Sequence, residues 1–195
     1  MQKIAAKIFK YRSYTPIPFI IVMLLYQRAN IWSLIAGFLI AAFGEFMRLW
    51  GVSWAGSETR TTGPVGGTYL IISGPFAHLR NPLYFGNLFL YVGIGIMSYA
   101  LFPYLQIAAL AFFIFQYYNI VKEEEGYLIT AFGKEYQDYA ASVPRFIPRV
   151  SAYKNEGVEQ PPFNLQAGLK SERRTLQAFS FVTLTLIVLW FIGKV

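Results

Sequence analysis

Three apolar runs, 31–55, 83–102 and 103–121, are each long enough as helices to cross a hydrocarbon core, which takes roughly 20 residues. That feature fixes the class of fold. A fourth run, 179–192, can borrow apolar neighbours on either side. A fifth, 14–26, is short and carries Pro16 and Pro18. The sequence therefore predicts an all-α, polytopic membrane helix bundle of about five transmembrane helices. Composition agrees. Apolar residues make up 55% and charged residues 14%, against about 45–50% and about 25% in soluble domains.

The formal net charge is +7. On a soluble protein that would suggest nucleic acid; here the basic residues read as topology signals. With all five runs crossing and the N-terminus cytoplasmic, 15 of the 17 Lys and Arg residues fall inside, and only Arg28 and Lys194 lie outside. The C-terminus is then on the opposite side. This asymmetry supports the weak first run as a tilted or extended helix beginning near Ile4. The same run also resembles a signal peptide, but Tyr26-Gln27-Arg28-Ala29 is a poor cleavage site. The chain has no cysteine and one histidine, His78. That removes disulfides, thiolate metal sites, cysteine nucleophiles and multi-histidine zinc sites. No metal site, and no nucleic-acid partner, is expected.

The two long inner connections, 56–81 and 122–175, carry the candidate chemistry. In the first, Gly74-Pro75 is a turn signal. Pro82 fits a helix start with Asn81 as its cap, and the free N–H groups there suit a carboxylate. Arg80, Asn81, Tyr84 and Asn87 cluster at this boundary, and Gly86 permits close approach of a helix or a ligand. A capped membrane helix with an interfacial tyrosine accounts for part of this pattern. Gly63 to Gly67 matches neither a P-loop nor a dinucleotide fingerprint. His78 reads as an interfacial surface histidine.

In the second connection, Glu123, Glu124 and Glu125 end an apolar run. They read either as a solvated surface or as a site, because ionisable groups at a membrane edge are costly unless used. Leu128, Phe132 and Tyr136 follow at helical spacing, with Gly133 a place where the helix can break. Val143-Pro144-Arg145-Phe146-Ile147-Pro148-Arg149 is an extended strip. Its arginines can pair with the acidic triplet, meet lipid phosphates or anchor the chain at headgroups. Glu45 and Arg48 can pair along their helix or line an inward-facing pocket. Gly157 to Gly168, with Pro161-Pro162, reads as a linker. The organisation expected is 1–72, an N-terminal hairpin and loop; 73–150, a core of two motifs around a membrane hairpin; and 151–195, a linker and last helix.

Taken together, Ser73-Gly74-Pro75-Phe76, Arg80-Asn81-Pro82, Tyr84 and Gly86, followed by Glu124-Glu125, Leu128, Phe132-Gly133, Tyr136, Tyr139, Val143-Pro144-Arg145 and Pro148, resemble the two motifs of the isoprenylcysteine carboxyl methyltransferase and phospholipid methyltransferase superfamily. The resemblance implies an S-adenosyl-L-methionine-dependent methyltransferase with its site at the cytoplasmic ends of the helices. Arg80, Asn81, Pro82, Tyr84 and Gly86 would shape the site for the methionine end of S-adenosylmethionine. Glu124, Glu125, Leu128, Phe132, Tyr136 and Tyr139 would supply polar contacts and the wall around the nucleoside. Glu124, Glu125 and Arg145 are the catalytic candidates: either carboxylate to take a proton from an amine acceptor, and Arg80, Lys122 or Arg145 to steer a carboxylate. The acceptor would be lipid-like or isoprenoid and enter from the bilayer near Tyr84, Tyr91, Glu45 and Arg48.

Three departures stand out. Asn81 replaces the motif histidine. Asn119 and Lys122 stand where many relatives carry an arginine, which lowers prenylcysteine as the acceptor. The chain also continues beyond the Val-Pro-Arg strip into a last apolar helix that the resemblance does not cover. The alternatives are a NADPH-dependent sterol-reductase relative and a catalytically inactive membrane scaffold. Oligomeric state is open.

Overall fold

The structure, a computed structural model, describes residues 11–56 and 69–193. Within them every regular element is helical. The expected helix start near Ile4 and the Gly63 to Gly67 loop lie outside the described residues.

Helix α1 (Pro16–Leu25) begins with proline in its first turn and has 10 residues, about 15 Å of rise. Helix α2 (Ile31–Ala55) opens with a reciprocal cap: the Asn30 side chain accepts from the Trp32 and Ser33 N–H groups, and Ser33 Oγ accepts from the Asn30 N–H. A single 3₁₀ turn (Gly74–Ala77) precedes α3 (Pro82–Ser98), which stops where Tyr99 turns left-handed. Helix α4 (Tyr104–Ser142) runs 39 residues and breaks at Gly133, whose φ of 52° and ψ of −121° are non-helical. Helix α5 (Leu165–Ile192) is capped by the Asn164 side chain on the Ala167 N–H.

Three of these helices, α2, α4 and α5, are long and apolar enough to cross a membrane; α1 and α3 are apolar but shorter, at 10 and 17 residues. The expectation of an integral membrane helix bundle holds in that form.

Glycine sets the closest contact. Gly37 and Gly44 on α2 meet Gly93 and Gly86 on α3. A Cβ on Gly44 would lie 2.5 Å from the Gly86 carbonyl oxygen, and one on Gly93 would lie 2.4 Å from the Ala41 nitrogen. Only small residues let two backbones approach this closely. On the other side of α2, α5 lies against Ser53 at Gly168, and Phe38 stacks on Phe179. Leu34, Ala41, Leu90, Ile94, Met97, Val182 and Leu186 fill the space between α2, α3 and α5. Helix α4 joins through Ala109, Phe113, Tyr117 and Ile120, packed against Tyr84, Leu88 and Tyr91.

Beyond one end of the bundle sits a separate apolar cap, with Leu70, Ile72, Tyr136, Tyr139 and Val143 at its centre. The two halves of the sequence pattern are hydrogen-bonded together there. The Arg80 N–H donates to the Pro144 carbonyl, Arg149 N–H to His78 and Tyr153 N–H to Ala77, at 3.0, 3.0 and 2.9 Å.

Several local expectations change. Asn81 does not cap α3; its amide donates to the Arg145 carbonyl at 3.2 Å, because the strip runs directly beside it. His78 is half-buried, and its Nδ1–H donates to the Arg149 carbonyl at 2.9 Å. Arg149 also donates to the Ser142 carbonyl and to Ser151, at 2.8 and 2.9 Å. The 157–168 stretch is tied down. Gln160 Oε1 accepts from the Ile72 and Ser73 N–H groups, its Nε2 donates to the Leu70 carbonyl, and the Asn164 N–H donates to the Ser53 carbonyl.

Candidate active site

Between the cap and the bundle lies a cavity of about 800 Å³, inside the ~300–1,000 Å³ range of small-molecule sites. Both sequence motifs reach it. From the first come Arg80, Asn81, Pro82 and Tyr84; from the second, Glu124, Glu125, Leu128, Tyr136 and Tyr139.

Three candidates stand elsewhere. Gly86 is used up by the contact with α2, where a Cβ would lie 2.6 Å from the Gly44 carbonyl oxygen. Phe132 packs into the apolar cap around Tyr136 and does not line the cavity; the break at Gly133 interrupts the regular helical stripe between the two. Arg145 does not line the cavity but grips Glu125 from behind.

The acidic triplet separates into three environments. Glu123 is exposed, Glu124 is half-buried and Glu125 is buried. Arg145 Nε donates to Glu125 Oε1 at 3.0 Å, Arg145 Nη2 to Oε2, and Arg80 Nη1 stands 3.2 Å from Oε1. Two guanidinium groups therefore grip one carboxylate and fix its direction. The hydrogen bond to Glu125 also holds the Arg145 guanidinium pKa above its usual value, and Arg145 lies over the Tyr118 ring at 5.9 Å. Glu124 is engaged differently. The Tyr84 hydroxyl donates to its Oε1 at 2.6 Å, while the Tyr84 ring stacks on Tyr117 at 4.7 Å.

Tyr136 and Tyr139 complete the cap side. Burial, with the Glu125 charge second, pushes the Tyr136 phenol up to about 12. Burial also raises Tyr139, whose hydroxyl donates to the Phe76 carbonyl at 2.7 Å. Both phenols are neutral across the physiological range and can act as hydrogen-bond donors.

The residues fit S-adenosylmethionine on observations of this structure. Arg80 lines the cavity, and its guanidinium, 3.2 Å from Glu125 through Nη1, is a donor set that suits a carboxylate. The α3 N-terminus beside it presents further free N–H groups. Opposite stand carboxylates and aromatic rings, which suit an ammonium and a sulfonium, with Leu128 as an apolar face.

The site also contains Glu172, which sequence reasoning passed over. Glu172 on α5 is fully buried, and its two oxygens accept from Arg48 Nη2 at 2.9 and 2.7 Å. Arg48 Nη1 donates to Asn87, and Glu45 stands 3.6 Å from Arg48 Nε. Arg48, Asn87 and Glu172 line the cavity together. Nothing local marks Glu172, which sits in a charged stretch, Lys170-Ser171-Glu172-Arg173-Arg174, that reads as solvated chain.

Comparison with known proteins adds a family. The family model described as phospholipid methyltransferase matches residues 32–135. Two relatives are each 28% identical over 149 residues, covering 67% of this chain and 68% of the relative. One is the cobalt-zinc-cadmium resistance protein CzcN of Cupriavidus metallidurans. The other is the nickel-cobalt-cadmium resistance protein NccN of Alcaligenes xylosoxydans xylosoxydans. No solved structure matches.

Proposed function

The chain belongs to the phospholipid methyltransferase family, and from that premise we propose that it transfers a methyl group from S-adenosylmethionine to a hydrophobic acceptor drawn from the bilayer, on the cytoplasmic face. The observation that carries this reading is the single cavity joining Arg80, Glu124 and Glu125 at a membrane helix start.

Arg80 and the α3 N-terminus would hold the carboxylate of S-adenosylmethionine, and Leu128, Tyr136 and Tyr139 would wall the nucleoside. When bound, it would supply an electrophilic methyl group with a neutral thioether as leaving group. Glu125, held by Arg80 and Arg145, serves as a fixed charge that orients its neighbours. Glu124 is the better-placed proton acceptor, because its Oε1 accepts from one phenol and the Arg12 charge acts on it only as a lesser influence, whereas Glu125 is gripped by two guanidinium groups. An amine acceptor would attack the methyl carbon through its lone pair and pass its proton to Glu124. Arg145 reaches the cavity only through Glu125 and is a positioning residue. Rate would come chiefly from in-line placement in a pocket that excludes water.

The basic residues concentrated on this side support a cytoplasmic site. The relatives' names concern metal resistance. Among the described residues no group of three His, Cys, Asp or Glu side chains could hold a metal ion, and no metal step is part of the proposal. The test is transfer of labelled methyl from S-adenosylmethionine into a total lipid extract by purified protein, with the labelled product identified by mass. Label in a lipid-soluble product, lost in Glu124→Gln, supports the reading; no label from folded protein overturns it.

A further inference from the structure

The cavity is longer than a cofactor site requires. Its α3 wall runs from Asn81 to Ile94, about 20 Å of helix. Its character changes along that length. The end near Arg80 and Glu125 is charged, whereas the far end, where Leu90 and Ile94 face Val182, is apolar. Between them stands a polar belt from three helices: Arg48, Asn87, Glu172 and Thr175.

Helix α5 enters this cavity along one stripe. Thr175, Ala178, Phe179 and Val182 line it, at positions i, i+3, i+4 and i+7 of one helical face. Glu172 lies one turn earlier on the same stripe and is locked to Arg48 through both carboxylate oxygens. That lock sets the axial register of α5, and so which of its side chains meet the cavity. Ile17 of α1, 47% exposed, also lines the cavity, as does the exposed Ala178 of α5. Both are therefore exposed at the cavity's edge, on α1 and on α5.

We propose that the α5 stripe Thr175–Val182 is the wall that measures the acceptor: a single apolar chain lies along it, with the acceptor's hydrogen-bonding head group at the Arg48–Asn87–Thr175 belt, facing the Tyr84–Glu124 pair. The meaning of the occupant as a methyl acceptor rests on the methyltransferase reading; the chain site itself does not. The apolar lining below the belt suits one acyl or prenyl chain. The belt suits a head group that accepts or donates hydrogen bonds at membrane depth, because unpaired polar groups are costly there. Chain length is then set by the space beside Ala178 and Val182.

The test uses full-length protein in micelles and a homologous series of saturated lysophosphatidylethanolamines as probes. Thermal stabilisation is read by tryptophan fluorescence, and the stabilisation given by S-adenosylmethionine is recorded beside it for each protein. Wild type is expected to show a chain-length optimum. Ala178→Phe should move that optimum several carbons shorter, and the milder Ala178→Leu should move it in the same direction. Leu184→Phe, at a position 62% exposed and away from the cavity, should leave it in place. No wild-type response to any chain length overturns the proposal. So does an unchanged optimum in folded Ala178→Phe and Ala178→Leu proteins, or an equal shift in Leu184→Phe. Absence of an S-adenosylmethionine response counts against the methyltransferase reading alone and leaves the chain-length result standing.

Discussion

Replacing Glu172 by alanine should destabilise the protein far more than a residue in so charged a stretch suggests. Glu172 is 0% exposed, and both its oxygens receive Arg48 Nη2, at 2.9 and 2.7 Å. Removing one partner of such a buried pair typically costs about 3–5 kcal/mol, because the other charge is left in a medium that solvates it badly. Glu45, 3.6 Å from Arg48, and the Asn87 side chain remain after the change. They bring the expectation to the lower end, about 3 kcal/mol. For a chain of this size that corresponds to a melting temperature lower by roughly 6–12 °C. The assay is thermal unfolding in detergent of wild type, Glu172→Ala, Arg48→Met and the double variant Arg48→Met/Glu172→Leu. The double variant should recover part of the loss, because an apolar pair of similar volume replaces the Arg48–Glu172 pair while buried Glu45 loses the Arg48 charge 3.6 Å away. Glu123→Ala, at an exposed position, should change stability by less than about 0.5 kcal/mol. A Glu172→Ala cost below about 1 kcal/mol, or additive single and double variants, would refute the reasoning and with it the idea that α5 is fixed by this pair.

The other expectations test separate parts of the structure. Gly93→Ala places a Cβ 2.4 Å from the Ala41 nitrogen and must push α2 and α3 apart, at a cost of about 1–3 kcal/mol. Gly126→Ala, where nothing lies within 4 Å, should stabilise α4 by about 0.5–1 kcal/mol; thermal unfolding compares the two. Gln160→Ala removes three hydrogen bonds from the 70–73 segment, so amide exchange at Ile72 and Ser73 should accelerate by at least about tenfold, with no matching change in α2. Tyr84→Phe keeps the stack on Tyr117 and loses only the 2.6 Å bond to Glu124. Stability should fall by about 1–2 kcal/mol at most, while the rate of labelled-methyl transfer falls by more than the affinity for S-adenosylmethionine does.

Residue pattern made much of this legible. Apolar run length located α2, α3 and α4, and proline at 82 marked the start of α3 correctly. Glycine at 133 was readable as a breaking point, and φ of 52° there bears this out. The acidic triplet was legible as a place but not as three separate environments. Which of Glu123, Glu124 and Glu125 is buried depends on where the Val143–Arg149 strip returns, and that is a long-range contact. Gly86 was ambiguous for the same reason: spacing shows that close approach is possible, not whether a helix or a ligand makes it. The 157–168 stretch has the composition of a linker, and only the three-dimensional path shows the Gln160 side chain holding residues 70–73 through three hydrogen bonds. Glu172 was invisible because charge runs are ordinarily solvated, and its partner lies 124 residues away.

The central claim is that the cavity at the α3 N-terminus is an S-adenosylmethionine site, and isothermal titration of that compound into the purified protein tests it most directly. Saturable one-to-one binding is expected, weakened at least about tenfold in Arg80→Ala and unchanged in Leu184→Phe. No binding to folded wild-type protein, or equal binding by Arg80→Ala, would contradict the account.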